Sequence, residues 1–158
     1  MTSHLKLLAA LLMLGIVANA GEPALPNPTL TPGAVMANLT LDSIVTPGFV
    51  THNHLRDVSQ STKHRVFISY FGYKPSAPYV IDHLIPLSLG GSNETKNLWP
   101  QPVPEAKRKD KLARQMAVLL RECYKQQGPK AAAALLTKFQ AEISTDWQAA
   151  FSKYCPVQ

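Results

Sequence analysis

Cysteine is nearly absent from this 158-residue chain, which holds only Cys123 and Cys155. Two isolated thiols cannot build a four-cysteine zinc site. They do not form a Cys-x-x-Cys pair, so a redox-active dithiol lacks its usual spacing. Long apolar runs are also missing. The run Leu7 to Ala18 is too short for the roughly 20 residues that span a bilayer. No internal repeat is visible, which excludes solenoid architectures. No histidine follows His83, so imidazole chemistry has to come from His83 or from upstream of it.

The N-terminus carries a different signal. Lys6 gives a short basic region without acid, Leu7 to Ala18 is apolar, and Ala18-Asn19-Ala20 is a small-residue cleavage site. This pattern predicts a signal peptide over 1–20 and a secreted or periplasmic protein with no stable membrane association after cleavage. Export makes a disulfide between Cys123 and Cys155 plausible. The formal charge of +6 falls to about +5 without Lys6. A single domain with its own core fits the remaining length.

Residues 21–33 contain Pro23, Pro26, Pro28 and Pro32, which predicts an extended flexible arm. A single domain then covers 34–158. Short irregular strands or loops are expected over 34–58, where Pro47-Gly48 marks a turn. Ser59 can cap a helix over 60–71 that ends at Gly72. Tyr79 to Leu84 reads as a buried strand, and Asn97 to Trp99 as a short return strand stopped by Pro100. A helix from about Glu105 to Lys125 follows, with Leu112, Met116, Leu119, Leu120 and Cys123 on one apolar stripe. Further helices are expected over 130–143 and from a cap at Ser144 or Thr145. The fold class is therefore α+β.

The chemistry concentrates at Asp82-His83, at the end of the apolar run Tyr79-Val80-Ile81. A carboxylate suits a hard metal ion. An imidazole suits a general base near neutral pH. Lys107, Arg108, Lys109, Lys111 and Arg114 crowd onto the following helix, as phosphate binding requires. A solvated helix face is the plainer meaning of such a charge run. His52, His54 and His64 read as ordinary surface histidines.

Ile81-Asp82-His83-Leu84-Ile85-Pro86, Gly90-Gly91, Asn97-Leu98-Trp99-Pro100-Gln101 and Ala106-Lys107-Arg108-Lys109-Asp110 occur in order. In this order and spacing they resemble the HNH, or ββα-metal, nucleases. Thr31-Pro32-Gly33-Ala34, Thr46-Pro47-Gly48 and Arg56-Asp57-Val58 resemble upstream segments of small exported bacterial HNH proteins. The resemblance implies a ββα-metal core with flanking helices. It implies His83 as general base, Asp82 as metal ligand, and Asn97 as an amide that bridges loop backbone and fixes the histidine. The chain departs at the second ligand, where such exported proteins show Asn-Ala-x-x-Lys-Asp and this one reads Glu105 to Asp110. Glu105 takes the ligand position by alignment, with Asp110 or water in reserve. Glu105 at a first helical turn also complements the helix dipole with no metal present.

These features predict a metal-dependent endonuclease of low sequence specificity, a monomer acting on nucleic acid, DNA by preference over RNA. Mg2+ is favoured, with Mn2+ or Ca2+ as alternatives, and Lys107, Arg108, Lys111 and Arg114 hold the backbone. The competing expectations are a catalytically inactive nucleic-acid- or metal-binding module and a periplasmic interaction protein.

Overall fold

The structure is a computed structural model and describes residues 25–49, 55–75 and 78–156. The expected signal peptide, His52 and His54 lie outside the described residues. The protein is α+β. Helix α1 (Leu41–Val45) and helix α2 (Gln60–Phe71) precede a two-stranded antiparallel sheet of β1 (Tyr79–His83) and β2 (Leu98–Pro102). Two long helices complete it, α3 (Val103–Gln127) and α4 (Pro129–Tyr154). No described helix is long and apolar enough to cross a membrane.

Local chemistry sets most boundaries. The Ser59 hydroxyl accepts from Thr62 N at 3.1 Å and caps α2, and Gly72 ends it at φ +74°, where a side chain would be strained. Strand β2 runs through Pro100 and Pro102 rather than stopping at Trp99. The pairing explains why. Leu84 N donates to Asn97 O and Val103 N to Pro78 O, so residues opposite each other alternate between bonded and non-bonded pairs. Pro100 faces Ile81 and Pro102 faces Tyr79 in the non-bonded positions, where no amide proton is needed from β2.

Other expectations need correction. Residues 41–45 form α1 instead of strand or loop, because Thr40 caps the turn through Ser43 N. The proline-rich arm is docked over its described part. Thr31 is 1 % exposed, its hydroxyl donates to Leu98 O at 2.9 Å, and Gly33 N donates to Lys96 O. The cap of the last helical segment is Asp146, not Ser144 or Thr145. It breaks α4 with non-helical dihedrals, and its Oδ1 accepts from Gln148 N and Ala149 N.

The sheet lies between two apolar clusters. Val66 and Phe67 of α2 pack with Ile81 and Leu98 on one side. On the other, Trp99 joins Leu112, Met116 and Leu120 of α3 and Phe139, Ile143 and Trp147 of α4. Cys123 and Cys155 both belong to this larger cluster as small apolar side chains. Both are free thiols in the structure.

A candidate active-site cleft

The segment 84–97 returns the chain from β1 to β2, and one side chain holds it. Asn97 is fully buried. Its Oδ1 accepts from Ile85 N at 2.8 Å, and its Nδ2 donates to Ile85 O at 3.0 Å and Ser92 O at 2.9 Å. An amide suits this role because it donates and accepts at once. Gly91 makes the closure possible. A β-carbon there would sit 1.7 Å from Ile85 O and 2.9 Å from Asn97 Nδ2. Gly90 supplies the left-handed turn at φ +80°. Gly90-Gly91 is thus a turn followed by a backbone contact.

Adjacent strand residues point to opposite faces. Asp82 and His83 nevertheless border one cleft, because β1 ends at His83 and the cleft wraps around that end. The cleft holds about 480 Å³. Its charged lining is Asp82, Lys109 and Asp110 together with Arg56, Arg114 and Arg121.

Asp82 turns toward α3, where Lys109 Nζ lies 2.7 Å from its Oδ2. At that distance the ammonium both neutralises the carboxylate and hydrogen-bonds to it. The same ammonium donates a short hydrogen bond to the His83 carbonyl. Lys109 is only 2 % exposed. Burial by itself would raise the Asp82 carboxyl, but the Lys109 charge and hydrogen bond, with help from His83, hold it below its ordinary value. Asp110 is pushed the other way, by burial and then by the negative Asp82 nearby.

His83 is 2 % exposed. Its Nε2 lies 2.9 Å from Asn93 Oδ1, and Asn93 Nδ2 donates to Leu55 O at 2.6 Å. That second bond turns the amide oxygen toward the ring, which makes Nε2 the protonated nitrogen. The lone pair is then on Nδ1, which is buried with no hydrogen-bond partner. Burial lowers the His83 pKa, outweighing the Asn93 bond and the Asp82 charge that raise it, and Arg56 and Lys109 lower it further. The imidazole is therefore a neutral base at neutral pH.

The predicted partners on α3 are only partly assembled. Glu105 does not line the cleft. It pairs with Arg108 at 2.9 Å, and the Arg108 guanidinium lies over Phe151 and Trp147. At 3.6 residues per turn, Glu105 and Asp110 stand roughly 140° apart around the helix, so both cannot face β1. Asp110 is the helix carboxylate that borders the cleft with Asp82. Lys107 and Lys111 are exposed and do not line the cleft, and of the four predicted phosphate contacts only Arg114 borders it.

Sequence reasoning counted Lys109 only in the basic run for phosphate, not as a partner of Asp82, and gave no site role to Asn93, Arg56 or Arg121. Two of these were detectable. Lys109 stands on the apolar stripe with Leu112, Met116 and Leu120 at i, i+3, i+7 and i+11, where a lysine is anomalous. Asp110, Arg114, Ala117 and Arg121 form a second stripe at i, i+4, i+7 and i+11.

Asp82 and Asp110 are the two carboxylates that border the cleft and could hold a hydrated magnesium-type cation, with one Asp82 oxygen already taken by Lys109 at 2.7 Å. Such a cation keeps several waters and needs only one or two carboxylates. No cluster of three or more acidic, histidine or cysteine ligands occurs among the described residues. Compared with family models, curated proteins and solved structures, the chain finds no match.

Proposed function

We propose that this protein is a metal-dependent endonuclease, hydrolysing phosphodiester bonds of DNA, or of RNA, with low sequence specificity. The carrying observation is His83, whose Nδ1 has no hydrogen-bond partner, lining a cleft that also holds two carboxylates and three arginines. On this reading β1, β2 and α3 are a ββα-metal core. Export over 1–20 would make the protein secreted or periplasmic, acting as a monomer.

His83 Nδ1 takes a proton from water, and the hydroxide attacks phosphorus as the opposite P–O bond breaks. Asn93 keeps the reacting nitrogen unprotonated by holding the proton on Nε2. Arg56, Arg114 and Arg121 bind non-bridging phosphate oxygens, and such contacts carry no sequence information. A divalent cation held by Asp82 and Asp110, Mg2+ before Mn2+ or Ca2+, would stabilise charge on the phosphate and leaving oxygen.

A second reading rests on Lys109. Its ammonium already neutralises Asp82, which suits a module that binds nucleic acid without cleaving it. A plasmid-nicking assay with and without EDTA separates the two. The enzyme nicks only with metal, whereas the binding module retards DNA without nicking it. A protein that does neither would refute both and leave an interaction protein.

A further inference from the structure

A second cavity, of about 310 Å³, lies beside the candidate active site between α2 and β1. Gln60, Lys63, His64 and Phe67 reach it from α2 at i, i+3, i+4 and i+7, one face of the helix. Lys74 enters from the following loop, and Arg56 closes the side toward His83. No carboxylate lines this cavity. None of Arg56, Lys63 or Lys74 is in an ion pair among the described residues, where the ion pairs are Glu105–Arg108, Asp82–Lys109 and Glu142–Lys153.

Unneutralised cations around a concave surface mark the footprint of a polyanion. Arg56 joins this surface to the active-site cleft, since it borders both cavities. Arg114 and Arg121 continue the cationic lining on the far side, along α3. The cations thus run from α3, past the Asp82–His83 edge, to α2.

We infer that the α2 cavity is a subsite for the nucleic-acid backbone flanking the reacting phosphodiester, with Lys63 and Lys74 holding phosphates and Arg56 marking the passage from one cavity to the other. The inference rests on the nuclease reading and adds a contact surface that the basic residues of α3 do not provide. A strand held on both sides of the reacting phosphate is fixed in register, which lowers the entropic cost of bringing that phosphate to His83. A dinucleotide fills the active-site cleft alone, whereas a longer strand reaches both cavities.

The test is binding in EDTA, where cleavage is silent, followed by fluorescence anisotropy of a labelled dinucleotide and a labelled longer single-stranded DNA over a salt series. Lys63→Gln/Lys74→Gln should weaken the longer strand and leave the dinucleotide unchanged. Each phosphate contact on a single strand contributes about 0.7 to the log–log salt slope, so the double variant should lower it by about 1.4. Lys63 is half-buried and Lys74 exposed, and a thermal melt matching wild type confirms that the variant is folded. An unchanged slope for the longer strand, with Arg114→Gln/Arg121→Gln still lowering it, would overturn the subsite and leave the nuclease reading intact. Absence of binding by the wild-type protein together with absence of metal-dependent nicking would remove both.

Discussion

Replacing Lys109 with methionine keeps most of the side-chain stem and removes the ammonium. Asp82 then loses its ion-pair partner at 2.7 Å, and the His83 carbonyl loses a donor. Breaking a buried pair by removing one member costs about 3–5 kcal/mol, because the remaining charge stays desolvated. The Asp82 side chain keeps 13 % exposure, which favours the lower end of that range. The lost hydrogen bond adds about 1 kcal/mol, for a total near 4 kcal/mol. With a urea slope of about 2 kcal/mol/M, the unfolding midpoint should fall by about 2 M. Trp99 and Trp147 are both fully buried, so intrinsic fluorescence reports the transition. The pH dependence supplies the sign. The folded Asp82 carboxyl lies below its ordinary 3.8, so its stabilisation is present above that value and is lost as pH falls through the folded pKa. The gap between wild type and Lys109→Met should therefore be full at neutral pH and close in acid. In an Asp82→Asn background the same replacement should cost far less. A loss below about 1 kcal/mol at pH 7, the value of an exposed pair, would refute the claim that Lys109 is a buried counter-ion.

Four further outcomes are expected. His83→Ala should lower nicking at least about 10²-fold while DNA binding in EDTA survives; near-full activity would remove His83 as the base. Because burial lowers the His83 pKa, the acid limb of the pH–rate profile should lie below the ordinary 6.5. Asn93→Ala should shift that limb to still lower pH, since the Asn93 bond raises the pKa, and should reduce the plateau rate as the tautomer is released. Asp110→Asn should raise the Mg2+ needed for half-maximal nicking and Glu105→Gln should not; the reverse result would return the second ligand to Glu105. Alkylation and mass spectrometry of protein recovered from an oxidising compartment should find Cys123 linked to Cys155, a loop closure of roughly 3–4 kcal/mol, and two alkylated thiols would rule the link out.

Local rules carried the elements a long way. Ser59 and Gly72 bound α2 as their capping chemistry requires, and the stripe Leu112, Met116 and Leu120 is fully buried. They failed where a partner chain segment decides. Proline reads as a strand breaker until the register puts Pro100 and Pro102 in non-bonded positions. Gly91 reads as a plain turn residue until Ile85 O is found where its side chain would be.

The candidate site divides the same way. The sequence alone determined which groups are available, an Asp-His pair at a strand end, an amide to bridge the loop, and a basic helix after it. Residue type and short spacing fix those features, because chain neighbours stay neighbours in any fold. Only the tertiary structure decided which helix side chains meet that pair. Lys109 and Asp110 reach the cleft while Glu105 turns to Arg108 and, through it, toward Trp147 and Phe151. The rotation of α3 about its own axis makes that choice, and it is set by the burial of Leu112, Met116 and Leu120 against α4 and Trp99, not by anything local to residues 105–110.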